Sequence, residues 1–484
     1  MEPVADSRAD FNSPTASDSP ALPPVTLPIM FRLGLFNTGL GMMSVLTLGL
    51  LNRVMVTELG VPLGVTAGLI ALSQIMAPAK IWIGQLSDSK PLLGQHRSGY
   101  IWLGTLGFTA MVFGIVQVMW RLGDAVAATP GGWQWTPATI GWCACMGVAF
   151  TVYGLMVSFA STPFFTLLVD VSEEDNRSQV VSIVWSMLLV GIIAGGITTA
   201  VLLKRVDIEA DLSLIQDTLN RLFVRVPIGV IGLTAIATWG IEDRYSRYTI
   251  RSQVADREDQ IGLREALRIL TATTQTGLFF LCLLLITLGL FMQDAVLENY
   301  GAEVFQMPMS ATTQLNSAFG LGNLVGLGVA GFVLVPRFGK LRTVRIGCVS
   351  VATTLLVLAS SGLSPQPAIL MGLVGCFGVA SGITTNASLS LMLDFTAAET
   401  AGTFIGAWGL AQALARALST WLGGLSKSLG MLLFGNVLLS YGWVFVLEAM
   451  VSLLAIVVLN QVNVHEFQTK TRAAISEILE QDLD

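Results

Sequence analysis

Apolar residues run along this chain in long, nearly unbroken blocks rather than at the spacing of an amphipathic helix. A helix rises about 1.5 Å per residue, so about 20 mostly apolar residues cross the hydrocarbon core of a bilayer. Blocks of that kind fall at 33–51, 63–84, 98–120, 138–168, 178–203, 222–241, 277–298, 312–335, 343–363, 367–393, 403–426 and 440–460. They predict an all-α membrane protein of twelve transmembrane helices. The polar stretch 242–276 is the longest between blocks and divides the spans into two halves of six, 29–241 and 277–460. Within it Leu263, Leu267 and Leu270 recur at helical spacing, predicting a short helix on the membrane surface. Residues 1–28, rich in Pro, Ser, Asp and Ala, read as a disordered tail rather than a secretory signal, and 461–484 read as a second tail.

Composition changes the picture only by confirming the solvent. Charged residues are 12% and hydrophobic residues 53% of the chain, where a soluble domain carries roughly 25% charge. The surface therefore faces the lipid bilayer. A net charge of −6 gives no basic footprint for nucleic acid. With the N-terminus cytoplasmic, one side gathers Arg8, Arg32, Lys90, Arg97, Arg177, the arginines of 242–276, the cluster Arg337 to Arg345, Lys470 and Arg472. Arg53, Arg121, Lys204, Arg205, Arg221, Arg225 and Lys427 fall on the other side. This bias predicts cytoplasmic termini. Cys143, Cys145, Cys282, Cys348 and Cys376 sit in apolar runs without metal-ligand spacing and read as small buried side chains.

The halves echo each other. After the second span stands Gly84-Gln-Leu-Ser-Asp88-Ser-Lys90, then His96-Arg97; after the eighth stands Gly331 through Pro336-Arg337-Phe338-Gly339-Lys340, with Val335 in the place of the aspartate. Asp170, Glu174 and Arg177 follow the fourth span, and Asp394, Glu399 and Gly402 the tenth. Ordered repetition of this kind is the pattern of six-helix repeats. Gly84-x-x-x-Asp88 before a basic loop resembles the loop motif of the major facilitator superfamily. Gly allows close helix approach, and a carboxylate at a helix end can pair with neighbouring bases.

Within that superfamily the chain resembles the PucC/LhaA-type bacteriochlorophyll-delivery family. The segments that carry the likeness are Asn52-Arg53 to Glu58-Leu-Gly-Val-Pro62, Gly84 to Asp88 with His96-Arg97-Ser-Gly-Tyr100-Ile-Trp102, and Asp170 to Arg177. Gln293-Asp294 with Glu298-Asn-Tyr300-Gly301-Ala-Glu303 is the sharpest, and Gly378 to Gly382 with Gly402, Gly406, Trp408-Gly409 and Gln412 completes the set. The resemblance implies a major facilitator fold and a protein that binds or delivers chlorophyll or bacteriochlorophyll. Its implied partners are light-harvesting or photosystem apoproteins and pigment-synthesis enzymes. Its implied place is a photosynthetic (thylakoid or intracytoplasmic) or bacterial inner membrane.

Charges inside spans are costly and are candidate functional groups. Arg416 and Glu448 lie at similar depth on successive spans, Arg416 about 20 Å from the cytoplasmic end. They read either as a structural ion pair, or as a Glu448 carboxylate presented to a pigment magnesium with Arg416 balancing its charge, or as contacts to a transported solute. Asp294 and Glu298, with Gln293 beside them, are four apart and predict one helix face near the far end of span seven, where like charges need compensation. Both histidines, His96 and His465, lie outside the spans, so a pigment in the bilayer would take a ligand such as Glu, Asn or Gln. Asn37, Gln74, Asn316, Asn323, Asn386 and Gln412 are candidates, each with helix–helix hydrogen bonding as the plainer reading. Lys80 reads as a snorkelling side chain or a partner of Asp88. Gly84, Asp88, Arg97, Asp170 and Arg177 form the candidate conformational loop motif. The sequence carries no P-loop, catalytic triad or metal-ligand cluster, so the expectation is a non-enzyme; the alternative to pigment delivery is a secondary transporter of a small solute. Few charges are expected within the first six spans, which favours the lipophilic ligand.

Overall fold

The computed structural model describes residues 23–76, 78–172, 174–203, 212–246, 274–395 and 401–462. In chain order the helices are α1 (Leu27–Glu58), α2 (Leu63–Ile75), α3 (Ala79–Ser89), α4 (Ser98–Ala127), α5 (Pro137–Val171), α6 (Glu174–Leu203), α7 (Leu212–Thr238), α8 (Ile241–Tyr245), α9 (Thr274–Phe291), α10 (Leu297–Glu303), α11 (Met309–Phe338), α12 (Lys340–Ser361), α13 (Pro367–Phe395), α14 (Ala401–Phe434) and α15 (Val437–Leu459). Among the described residues 10 helices are long and apolar enough to cross a membrane. The expected second span is broken into α2 and α3 around Pro78, which has no N–H to give to the preceding turn. The expected eleventh is α14, whose 34 residues include Arg416 and Lys427. The surface helix expected at Leu263 to Leu270, and both tails beyond 23 and 462, lie outside the described residues.

Each half wraps its own apolar core. Leu33, Phe36, Phe108, Phe150, Phe164 and Phe223 build the first; Phe279, Tyr300, Leu355, Phe377 and Phe445 build the second. The outward faces stay apolar, Phe332 and Leu432 among the most exposed, as lipid contact demands. Across the halves α2 packs on α14 and α6 on α11, while α1 reaches the break between α9 and α10. The inter-half hydrogen bonds Gly64 N–H to Ser428 Oγ (3.0 Å) and Arg53 Nη2 to the Met307 carbonyl (3.2 Å) lie toward the end remote from the termini.

Lipid offers no hydrophobic drive between helices, so close backbone approach at small residues holds them together. On α11, a Cβ at Gly322 or Gly326 would strike the carbonyls of Gly375 and Val379; on α13, one at Gly378 or Gly382 would strike those of Phe319 and Asn323. Gly382→Leu should therefore cost roughly 1–3 kcal/mol by overpacking. Gly372→Leu, where the space is open, should be silent. Membrane abundance and thermal unfolding of the two purified variants check this.

Two expectations about small side chains need correction. Cys143, Cys282 and Cys348 are buried, but Cys145 and Cys376 are exposed. Two residues along a helix turn about 200°, so Cys145 points away from the face that buries Cys143.

Candidate functional site

The site is built around a break in the seventh span. After Phe291 the chain tightens into a 3₁₀ turn, Met292–Ala295, before α10 resumes. A break inside a bilayer frees backbone groups that no water can satisfy, so side chains must take them. Glu448 of α15, with 0% of its surface exposed, accepts the Gln293 N–H at 3.1 Å through Oε1. Asn52 of α1 donates to the Ala295 carbonyl at 2.7 Å. Gln293 Nε2 donates to Asp294 Oδ1 at 2.6 Å.

The break overturns the expected Arg416–Glu448 pair. Arg416 Nη2 lies 3.7 Å from Asp294 Oδ2, and its guanidinium sits 4.2 Å over the Phe291 ring. The 3₁₀ turn swings Asp294 toward α14, while Glu448 is turned to the exposed backbone of the break. Glu448 Oε2 is buried without a hydrogen-bond partner.

The same break separates Asp294 from Glu298, which the spacing placed on one helix face. Glu298 opens α10, is 4% exposed and turns toward α1. Asn316 of α11 donates to its Oε1, and Arg53 acts on it electrostatically. The two carboxylates thus have separate cations, Arg416 and Arg53. Gly49 makes room for Glu298: it lies in a π-helical stretch of α1, Val45–Leu50, and a Cβ there would collide with Glu298 Oε1. Wide turns of this kind recur at functional sites.

Arg53 is the residue the sequence reading misplaced. It falls two residues beyond the apolar block 33–51 and reads as a loop base. In the structure α1 continues to Glu58 and Arg53 is 3% exposed. It bonds the Met307 carbonyl and lies 3.9 Å from Glu58. Its Nε and Nη1 have no hydrogen-bond partner, and it lines a cavity of about 360 Å³ with Thr57, Glu58, Glu303 and Gln306. Asn52 and Arg53, two polar residues directly after an apolar block and before a Gly-Val-Pro turn, are the signal in the sequence. With Arg97 and Asp170 also buried, the expectation of few buried charges in the first half does not hold.

The loop motif forms a second cluster at the end bearing the termini. Arg97 Nε meets Asp170 Oδ2 at 2.9 Å, and its Nη1 donates to Ser87 Oγ at 2.8 Å. Glu242, in the polar stretch after the sixth span, accepts the N–H groups of His96, Arg97 and Ser98 at the start of α4. A carboxylate is favoured at that positive helix end. Gly84 faces Thr162 of α5 at ordinary contact distance. The side chains of Asp88 and Arg177 lie outside the described residues.

Among the remaining candidates, Asn37 donates to the Val184 carbonyl, Asn386 to that of Leu327, and Gln74 to Thr420 Oγ1, the plainer helix–helix reading for each. Gln412 is half-buried on α14. Among the described residues no three His, Cys, Asp or Glu side chains converge to hold a metal ion. The orphaned oxygens Glu448 Oε2, Glu298 Oε2 and Gln293 Oε1 are chemically suited to magnesium. The cavity beside Gln293, Asp294, Glu298 and Arg416 is only about 50 Å³, however, room for a water or two and not for a tetrapyrrole ring. These donors do not reach a pigment magnesium in this conformation.

The bundle aligns with solved transporters over nearly its whole length. The nucleoside transporter NupG superposes at a TM-score of 0.65 with 12% identity, covering 90% of this chain and 99% of that one. A bacterial homologue of the iron transporter ferroportin, inward-facing, superposes at 0.63 with 16% identity, covering 90% and 98%. The xylose transporter XylE from E. coli gives 0.59 and 15%, covering 89% and 95%. The chain is an integral membrane protein of the major facilitator fold. At the level of sequence, the family described as PUCC protein matches residues 50–467, and the chain belongs to that family. Protein PucC of Rhodobacter capsulatus is 30% identical over 443 residues, 89% of this chain and 91% of the relative. The bacteriochlorophyll synthase 44.5 kDa chain of the same organism is 28% identical over 436 residues, 88% and 93%.

Proposed function

We propose that the protein holds a chlorophyll or bacteriochlorophyll in the cleft between its halves and delivers it to light-harvesting or photosystem apoproteins during assembly. Family membership over most of the chain supports this reading, because one relative bears a name tied to bacteriochlorophyll. In this reading the pigment lies outside the cavity of about 50 Å³ beside Asp294 and Arg416, which is too small for it. The protein works in a photosynthetic membrane, with both termini cytoplasmic, and performs no bond-making chemistry. Deleting the gene should lower assembled pigment–protein complexes, read from membrane absorption spectra and native gels, while uptake of small solutes stays normal. Normal complex levels in a strain without a paralogue would sink the proposal.

One observation favours secondary transport of a small solute as a second reading. Both halves bury charge: Arg53, Arg97 and Asp170 in one, Glu298 and Glu448 in the other. A lost uptake activity with intact complexes in the same deletion strain would select it.

A further inference from the structure

The 3₁₀ turn of the seventh span packs against the π-helical stretch of α1 on one side and against α14 on another. Beside it lies the cavity of about 50 Å³, walled by Gln293, Asp294, Glu298 and Asn316 from one half and by Ser44 and Gly49 from the other. That volume takes a water or a single small ion. Its polar groups are oxygens short of a positive partner. Gln293 is 2% exposed; its Nε2 is spent on Asp294 Oδ1 at 2.6 Å, and its Oε1 has no partner. Glu298 is 4% exposed; Asn316 donates to its Oε1, and its Oε2 has no partner. Asp294 faces Arg416 at 3.7 Å, beyond hydrogen-bond reach. Ser44 Oγ donates to the Gly41 carbonyl at 2.8 Å and keeps its lone pairs to offer.

Charge around the break does not balance. Among the described residues three carboxylates, Glu58, Asp294 and Glu298, share two guanidinium groups, Arg53 and Arg416. Glu448, bonded to the backbone N–H of Gln293, brings a further carboxyl and no cation. Buried charge is costly when unpaired, and a water filling the cavity would supply none. Hard cations take their ligands from carboxylate, amide and hydroxyl oxygens. Breaks in spanning helices are also where membrane proteins hold coupling ions. We propose that the cavity binds one sodium ion, held by Asp294, Glu298 Oε2, Gln293 Oε1 and Ser44 Oγ. A single positive charge closes the deficit left by the two arginines. Ser44 belongs to α1 and the other three ligands to the break, so the ion ties the two halves together. The inference stands apart from the pigment reading, and its test needs no pigment.

The test uses the full-length protein in nanodiscs of neutral lipid, at fixed pH, with choline chloride holding the ionic strength constant. Thermal unfolding followed by tryptophan fluorescence is one readout, and equilibrium binding of radioactive sodium is the other. Sodium should raise the melting temperature along a saturating curve, as a ligand of the folded state does, and bind at one ion per chain. Potassium should be at least tenfold weaker, and calcium and magnesium should not displace the bound sodium. Asp294→Asn and Glu298→Gln each keep an oxygen for the present hydrogen-bond partner and remove the charge. Both should weaken sodium binding tenfold or more while melting near wild type in choline. Wild type with no sodium-dependent shift and no bound sodium would overturn the proposal and leave the cavity to water. Stabilisation on lowering the pH in choline, with sodium without effect, would give the deficit to a proton instead. Equal action of potassium, displacement by a divalent ion, or folded variants that bind sodium like wild type would each refute the site as drawn.

Discussion

Arg97→Ala should strip most of the protein from the membrane. Arg97 is among the largest fully buried side chains of the described residues, and its Nε lies 2.9 Å from Asp170, itself 6% exposed. Removing one partner breaks a buried, hydrogen-bonded ion pair, a cost of roughly 3–5 kcal/mol. The loss reaches further, because Arg97 also holds Ser87 Oγ, which ties the end of α3 to the start of α4. Asp170→Asn keeps an oxygen for the Arg97 hydrogen bond and removes only the charge facing the guanidinium, so a smaller loss is expected. The double variant Arg97→Met, Asp170→Leu removes both charges and should recover part of the stability. Immunoblots of membrane fractions and thermal unfolding of the purified variants give the comparison. Wild-type abundance of Arg97→Ala would mean that the pair does not hold this end of the bundle.

The spans were legible because the bilayer imposes one simple demand, a long apolar block, and the chain meets it nearly everywhere. The family was legible from local strings such as Gln293-Asp294 to Gly301. What failed were contacts that depend on backbone irregularity. Matched depth paired Arg416 with Glu448 only if both helices ran straight. The 3₁₀ turn at Met292–Ala295 gives Asp294 to Arg416 and gives Glu448 a backbone N–H instead. Helical spacing likewise set Asp294 and Glu298 on one face, and the turn between them sends Asp294 to Arg416 of α14 and Glu298 to Asn316 of α11 and Arg53 of α1. Neither Pro nor an adjacent Gly marks that break; its supports, Asn52 and Glu448, come from helices remote in sequence. The end of α1 failed for a related reason. Hydropathy reads Asn52, Arg53 and Glu58 as leaving the membrane, whereas partners from the other half let them stay inside the protein. By contrast the break at Pro78 was written in the sequence, since proline cannot donate its turn's hydrogen bond.

Arg53→Met should be as damaging as the loss of Arg97, and its rescue should be more specific. Arg53 is the cation shared by Glu58 and Glu298, and its Nη2 holds the Met307 carbonyl beyond α10. The substitution conserves much of the side-chain volume but leaves Glu298, 4% exposed, without its balancing charge, at roughly 3–5 kcal/mol. Glu298→Gln alone should be mild, because its amide oxygen still accepts from Asn316 and Arg53 keeps Glu58. Adding Glu298→Gln to Arg53→Met should therefore restore abundance, while Glu58→Gln, whose carboxylate is partly exposed and 3.9 Å from Arg53, should restore little. Membrane abundance of the four variants reads the structural effect. The level of assembled pigment–protein complexes, normalised to that abundance, reads the functional one. If the double variant regains abundance but not complexes, Arg53 acts in the working cycle, where its bond to Met307 must break for the remote end to open. If it regains both, the charge only balances Glu298. Arg53→Met at wild-type abundance would refute the assignment of Arg53 as the cation that α1 supplies to the break.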